Sequence, residues 1–197
     1  MPWTWDPIGR KSVFIEPAPT PPTPAPAKAP TPAAARKGTL VTLVGGAAAA
    51  ILLTIVPGFE GTRLIGYRDP VGIPTKCAGD TRDVVVGRRY TAEECRISLE
   101  EQLVLHAGPV MACVPALAGR TYQAAASVSF AYNIGVGAFC RSTAARRMNA
   151  GDWRGGCRAF NEDDAGRPQW VTAAGIRLPG LVRRRAEERA LCETGLS

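Results

Sequence analysis

The sequence predicts an α+β protein: mainly helical, with a small β-hairpin region, carried behind an N-terminal apolar membrane helix and a disordered Pro-rich leader. Three observations predict this class. Residues 38–59 hold no charged side chain. Residues 67–89 gather glycines, prolines and the β-branched run Val84-Val85-Val86, a hairpin composition. From Thr91 onward the chain reads as a series of capped helices separated by short breaks.

In chain order, residues 1–37 come first. Their second half, PAPTPPTPAPAKAPTPAAARK, favours extended, solvated chain, because proline fixes φ and lacks an amide hydrogen. Trp3 and Trp5 at the start have no sustained period around them. Next, Thr39 to Val56 spans about 27 Å as a helix, close to the thickness of a hydrocarbon core. Lys28, Arg36 and Lys37 precede it, so residues 1–37 are expected to stay cytoplasmic. Three readings of residues 38–57 compete: a releasable anchor, a fixed anchor and a cleaved signal peptide. Gly45-Gly46, the alanines that follow, and Thr39, Thr42 and Thr54 contribute little transfer energy, and no clear A-x-A site follows. These features favour the releasable anchor. Residues 58–197 are then the folded domain. Residues 58–66 read as a short helix. Thr91 with Glu94 three residues on is a capping box, and helices are expected at about 91–107, 121–133, 142–149, 152–161 and 180–194.

Net charge is +7 over 197 residues. A mildly basic domain suits an anionic polymer. Without a stacked-aromatic or helix-turn-helix pattern, nucleic acid is not an expected partner. Six cysteines, Cys77, Cys95, Cys113, Cys140, Cys157 and Cys192, all follow the apolar run. With no C-x-x-C pair, zinc and thioredoxin-type chemistry are not indicated. An even count beyond a membrane segment reads as disulfides in an oxidising compartment, with the pairing left open.

One stretch carries chemistry. Glu60 is followed after eight residues by Asp69, and after five more by Thr75. Cleaving a glycosidic bond needs one carboxylic acid for the leaving oxygen and a second carboxylate for water or developing charge. Glu60 ends an apolar run beside Phe59, Asp69 sits in a Gly/Pro-rich turn, and Thr75 can hold a water. The segment EGTRLIGYRDPVGIPT resembles the active-site segment of phage-type lysozymes, the family of T4-like and lambdoid endolysins, at Glu60, Gly61, Arg63, Tyr67, Asp69, Gly72 and Thr75. The resemblance continues at Phe130 to Phe139, at Ser142-Thr143 with Asn149 to Asp152, and at Gly180-Leu181 with Arg184, Arg185, Glu188 and Cys192.

The resemblance implies a lysozyme-like fold and an inverting muramidase that cuts the β-1,4 bond between N-acetylmuramic acid and N-acetylglucosamine, using no metal or cofactor. Glu60 is implied as general acid, Asp69 as the base that orients water, and Thr75 as its holder. Tyr67, Asn133, Gly135 and Gly137 are candidates for substrate binding, the last three equally readable as a plain interhelical turn. The family's histidine after the threonine is Asp80 here, for which an arginine partner is expected. His106 is expected to be a partly exposed helix residue without a catalytic role. Arg183-Arg184-Arg185 is either a solvated helix face or the source of an arginine for Glu60.

Placed next to an anchor, this domain resembles the signal-anchor-release endolysins. That implies a monomer exported by the host machinery, held at the inner membrane through residues 38–57, and later released to the periplasm to act on peptidoglycan in host lysis. No cysteine lies within 38–59, so thiol exchange from the anchor is excluded. The alternatives are a permanently anchored muramidase for wall remodelling and a catalytically inactive, tethered wall-binding protein.

Overall fold

The computed structural model describes residues 39–69, 72–173 and 175–196. The expected Pro/Ala-rich leader lies outside them. The apolar run forms two helices rather than one, α1 (Leu40–Val44) and α2 (Gly46–Glu60). Thr39 caps α1, its hydroxyl accepting the Thr42 amide at 3.3 Å. Gly45, at φ 86°, breaks the helix in a conformation that costs glycine little. Leu40, Val44, Ala48, Ala49, Leu52 and Val56 are buried, at the spacing of one helical face carried across the break. They enter the same core as Leu99, Leu103 and Val110 and as Ala124, Val128 and Ala131. Among the described residues no helix is long and apolar enough to cross a membrane.

The expected helix over 58–66 is not formed. Helix α2 stops at Glu60, where Gly61 takes φ 70° and its amide reaches back to the Pro57 carbonyl. The chain then extends as β1 (Arg63–Arg68), antiparallel to β2 (Pro74–Cys77), with Tyr67 opposite Thr75 and a register irregularity between Arg63 and Tyr67. Gly66 lets a third segment approach. A Cβ there would stand 2.4 Å from the Val85 carbonyl oxygen. The Gly66 amide donates to Arg88 O at 2.9 Å, and the Tyr90 amide to Leu64 O at 2.7 Å. The run Val84-Val85-Val86, expected as strand, is irregular loop on this edge, with Val85 and Val86 exposed. Its β-branched side chains have no buried face to fill, so propensity alone does not order it.

Helix α3 (Ala92–Cys113) opens with the expected capping box, Thr91 and Glu94 exchanging both bonds. It outruns the expected end by six residues and passes through Pro109. Helix α4 (Thr121–Ile134) runs through the centre, buried from Gln123 to Ala131. Then follow α5 (Val136–Cys140), α6 (Thr143–Asn149) and α7 (Trp153–Arg158), a second hairpin of β3 (Thr172–Ala173) and β4 (Ile176–Arg177) that the sequence does not announce, and α8 (Pro179–Glu193). Helix α1 packs on α3, and α2 and α8 both pack on α4. Phe130 of α4 meets Phe139, Phe160 and Trp170 in the core.

All six cysteines pair: Cys77–Cys95 joins β2 to α3, Cys113–Cys140 joins α3 to α5, and Cys157–Cys192 joins α7 to α8. Closing loops of this length stabilises the fold by roughly 3 kcal/mol each.

Candidate active site

Glu60 is the last residue of α2, so the placement of the buried apolar helix sets the placement of its carboxylate. Arg184 of α8 donates from Nη1 to Glu60 Oε1 at 2.5 Å. The glutamate side chain is 26% exposed and the arginine 5%, so the glutamate is on the solvent side of the pair. Arg184 is fixed from three further directions. Its Nε donates to Glu188 Oε1 at 3.0 Å, its Nη2 donates to the Ser129 carbonyl at 3.3 Å, and its guanidinium lies 4.9 Å over the Phe59 ring. Ser129 also donates its hydroxyl to Glu188 Oε1 at 2.8 Å.

Glu188 is almost fully buried. Burial pushes its carboxyl upward, against the pull of Arg185 and Arg184. Arg185 Nη2 lies 2.8 Å from Glu188 Oε2 without the alignment of a hydrogen bond, and its guanidinium lies 4.7 Å over Phe130. Of the arginine triplet, then, Arg183 faces solvent beside Glu187, Arg184 serves the glutamate, and Arg185 is core. Both readings of the cluster hold, each for a different residue.

Asp69 and Thr75 come from the β1–β2 hairpin. Asp69 Oδ1 accepts the Ile73 amide at 2.8 Å and its own amide donates to Ile73 O at 2.9 Å, so the turn is closed around this carboxylate. Arg68 Nη1 donates to Gly72 O at 2.8 Å across the same turn. Thr75 is buried and donates to Ile73 O at 3.0 Å. Its oxygen keeps lone pairs that can accept from a water. Tyr67, opposite Thr75, is half-buried beneath Arg63, 4.4 Å from its ring.

Asp80, three residues beyond Cys77, ties this hairpin to α3. It accepts from the Ser98 hydroxyl at 2.6 Å, Gln102 Nε2 at 2.8 Å, the Arg82 amide at 3.0 Å and Arg82 Nε at 3.2 Å. Lys76 Nζ stands 3.7 Å away. The expected arginine partner is therefore present. Burial pushes the Asp80 carboxyl up, but the Ser98 hydroxyl and the Arg82 amide and guanidinium outweigh it, and the group sits below its ordinary value. His106 is half-buried on α3, as expected, with Nδ1 2.7 Å from the Gln102 carbonyl. Burial lowers its pKa, which keeps the ring neutral at pH 7.

Gly135, at φ 87°, ends α4 and starts α5, so the Asn133–Gly137 stretch is the interhelical turn. Asn133 and Gly137 are exposed on it. The residues sequence reasoning missed are Ser129, Tyr132, Ser98 and Gln102. Each is an ordinary helical polar residue whose partner lies on another element, and only the Arg-Arg-x-x-Glu spacing of α8 signalled a helical ion-pair network.

The fold is that of a lysozyme-type protein: a central helix, Glu60 at the end of a helix packed on it, and a small hairpin that carries Asp69 and Thr75. Comparison with known proteins places it further. Residues 57–188 match the phage lysozyme family. A SAR-endolysin of bacteriophage PS119 is 33% identical over 168 residues, covering 82% of this chain and 96% of that protein. The muramidase domain of SpmX from Asticaccaulis excentricus superposes with TM-score 0.58 at 28% identity, over 77% of this chain and 97% of that one. The active form of P1 phage endolysin Lyz shares the fold, at TM-score 0.65 and 23% identity over 80% and 93% of the two chains. The chain belongs to the phage lysozyme family.

Proposed function

We propose that the protein is an endolysin that hydrolyses the β-1,4 bond between N-acetylmuramic acid and N-acetylglucosamine with inversion. The observation that carries this is Glu60, at the end of α2, held by Arg184 through Oε1 and partly open to solvent. In this reading Arg184 orients the carboxyl, and Glu60 gives a proton to the leaving glycosidic oxygen as the C1–O bond breaks. Asp69 takes a proton from a water held by Thr75, and the water oxygen bonds to C1 from the opposite face. Inversion fits carboxyl groups roughly 6.5–9.5 Å apart, with space for that water. Tyr67, Asn133, Gly135 and Gly137 flank the sugar path in this reading.

Delivery follows from the apolar segment. While residues 38–57 lie in the inner membrane, Glu60 is held at the bilayer surface and Arg184 has no partner there. On release to the periplasm the segment docks as α1 and α2 and brings Glu60 to Arg184. Two features support a segment suited to both settings. Its buried face is already that of a core helix. The Thr42 and Thr54 hydroxyls donate to carbonyls of their own segment, at 2.7 and 2.9 Å, and so need neither water nor a partner helix.

The test is the optical density of Gram-negative cells expressing the full chain or its Glu60→Gln variant, with no other lysis protein. Lysis by the wild type alone supports an exported muramidase. Lysis by both means membrane damage by the apolar segment and removes the enzymatic reading. A fixed anchor would show as lysis unaffected by depolarisation, with the protein staying in the membrane fraction.

A further inference from the structure

Helix α4 holds both halves of the site from one face. The Ser129 carbonyl accepts from Arg184, the partner of Glu60, and its hydroxyl donates to Glu188, which also holds Arg184. One turn on, Tyr132 donates its hydroxyl to the Ala78 carbonyl at 3.0 Å, and Ala78 lies between Thr75 and Asp80. The phenol is set in a closed ring of contacts. Its ring packs on His106 at 4.9 Å. His106 Nδ1 meets the Gln102 carbonyl, and the Gln102 side chain donates to Asp80. Asp80 pairs backbone to backbone with Lys76, 2.8 and 3.0 Å in the two directions, around the turn that contains Ala78. The strut therefore runs from α4 through α3 and back to the end of β2. Burial, then the negative charges of Glu60 and Asp80, push the phenol up to about 12. It is a donor throughout the working range, and it stands close enough to both carboxylates to feel each.

We propose that Tyr132 is a positioning residue: its hydroxyl, through the Ala78 carbonyl, fixes the end of β2 so that Thr75 holds the attacking water at the right place relative to Glu60. Cys77–Cys95 and the Asp80 contacts hold the end of the hairpin to α3. Tyr132 supplies the bond to α4, the helix against which α2 and α8 set Glu60 and Arg184. Small displacements of reacting groups cost rate much more than they cost binding, so this bond should be read in kcat.

The proposal rests on the roles given above to Thr75 and Glu60. Tyr132→Phe removes the hydroxyl and leaves the ring on His106, so the fold is preserved. Full-length wild type, Tyr132→Phe, Thr75→Ala and the double variant are assayed on purified peptidoglycan and by thermal melting. Expected for Tyr132→Phe is a kcat about tenfold lower, KM within about twofold and an unchanged melting profile, with the double variant no slower than Thr75→Ala. Three outcomes would overturn the proposal: full activity of Tyr132→Phe beside an impaired Thr75→Ala, a loss carried by KM or by melting, or losses that multiply in the double variant. Full activity of Thr75→Ala would instead remove the reading of Thr75 on which it stands.

Discussion

Glu60 ends one helix and Arg184 begins the next-to-first turn of another, 124 residues later, yet the two meet at 2.5 Å with the arginine almost wholly buried. The pair exists only when α2 and α8 are both docked on α4. Arg184 serves Glu60, Glu188 and Ser129 at once, so it is the point where the folding of the body becomes the orientation of the Glu60 carboxylate.

Replacing Arg184 therefore costs twice. Arg184→Ala leaves the buried Glu188 without a hydrogen-bonded cation, and losing one partner of a buried pair destabilises by about 3–5 kcal/mol. Misplacement of Glu60 should lower the clearing rate of purified peptidoglycan about a hundredfold. Arg184→Lys keeps the charge but lacks the planar fork that reaches three acceptors, so its rate should fall nearer to alanine than to wild type. A near-normal rate for the lysine variant would mean that charge alone matters here.

Thermal stability should fall with pH in two steps. The His106 pKa is below its ordinary value in the folded state. The unfolded chain thus binds a proton first, and stability is lost as pH drops below about 6.5. Asp80 is likewise held below its ordinary value, so its contribution is full above about 4 and is lost as pH falls through the folded value. Melting curves of His106→Phe should lack the first step and those of Asp80→Asn the second. An unchanged first step in His106→Phe would show that another group titrates there.

The Cys77–Cys95 bridge ends two residues past Thr75, whereas Cys157–Cys192 lies between α7 and α8. Replacing either pair by alanines should lower the melting temperature by roughly 6–12 °C. Only the loss of Cys77–Cys95 should also lower kcat at 25 °C, because only it anchors the hairpin. Equal kinetic effects from the two replacements would contradict this.

Under the proposed delivery, Gly45 and Gly46 bear on both the bilayer and the docked setting of the apolar segment. Leucines there would add transfer energy in the bilayer, and at Gly45 a side chain would also be strained at φ 86°. The double replacement should stay in the membrane fraction after depolarisation and delay lysis. Unchanged lysis timing would sink the release reading.

How much of this was legible in the sequence depended on whether a signal was local. Thr91 and Glu94 announce a helix start because both partners lie within one turn. Glu60, Asp69 and Thr75 stand out as candidates because their spacing is confined to one short segment. Residues 58–66 were misread because Phe59, Leu64 and Ile65 fit a helical stripe, while the decisive facts are the left-handed Gly61 and the approach of Val85 to Gly66. The break at Gly45 was hidden for a related reason: a uniformly apolar run carries no periodicity to mark it. The disulfide pairing and the Ser129–Glu188 and Asp80–Gln102 contacts join residues far apart in the chain, and only packing brings them together.

Because Leu40, Val44, Ala48, Leu52 and Val56 fill the centre of the body, the apolar run cannot be discarded to obtain a soluble reagent. Trimming the chain at the apparent end of the anchor, near residue 57, would strip six core side chains, Ala49 included, and uncover the faces of α3 and α4 on which α1 and α2 pack. Manufacture of an active preparation would have to retain the stretch from Thr39 onward and find conditions in which it docks, treating what looks like packaging as part of the contents.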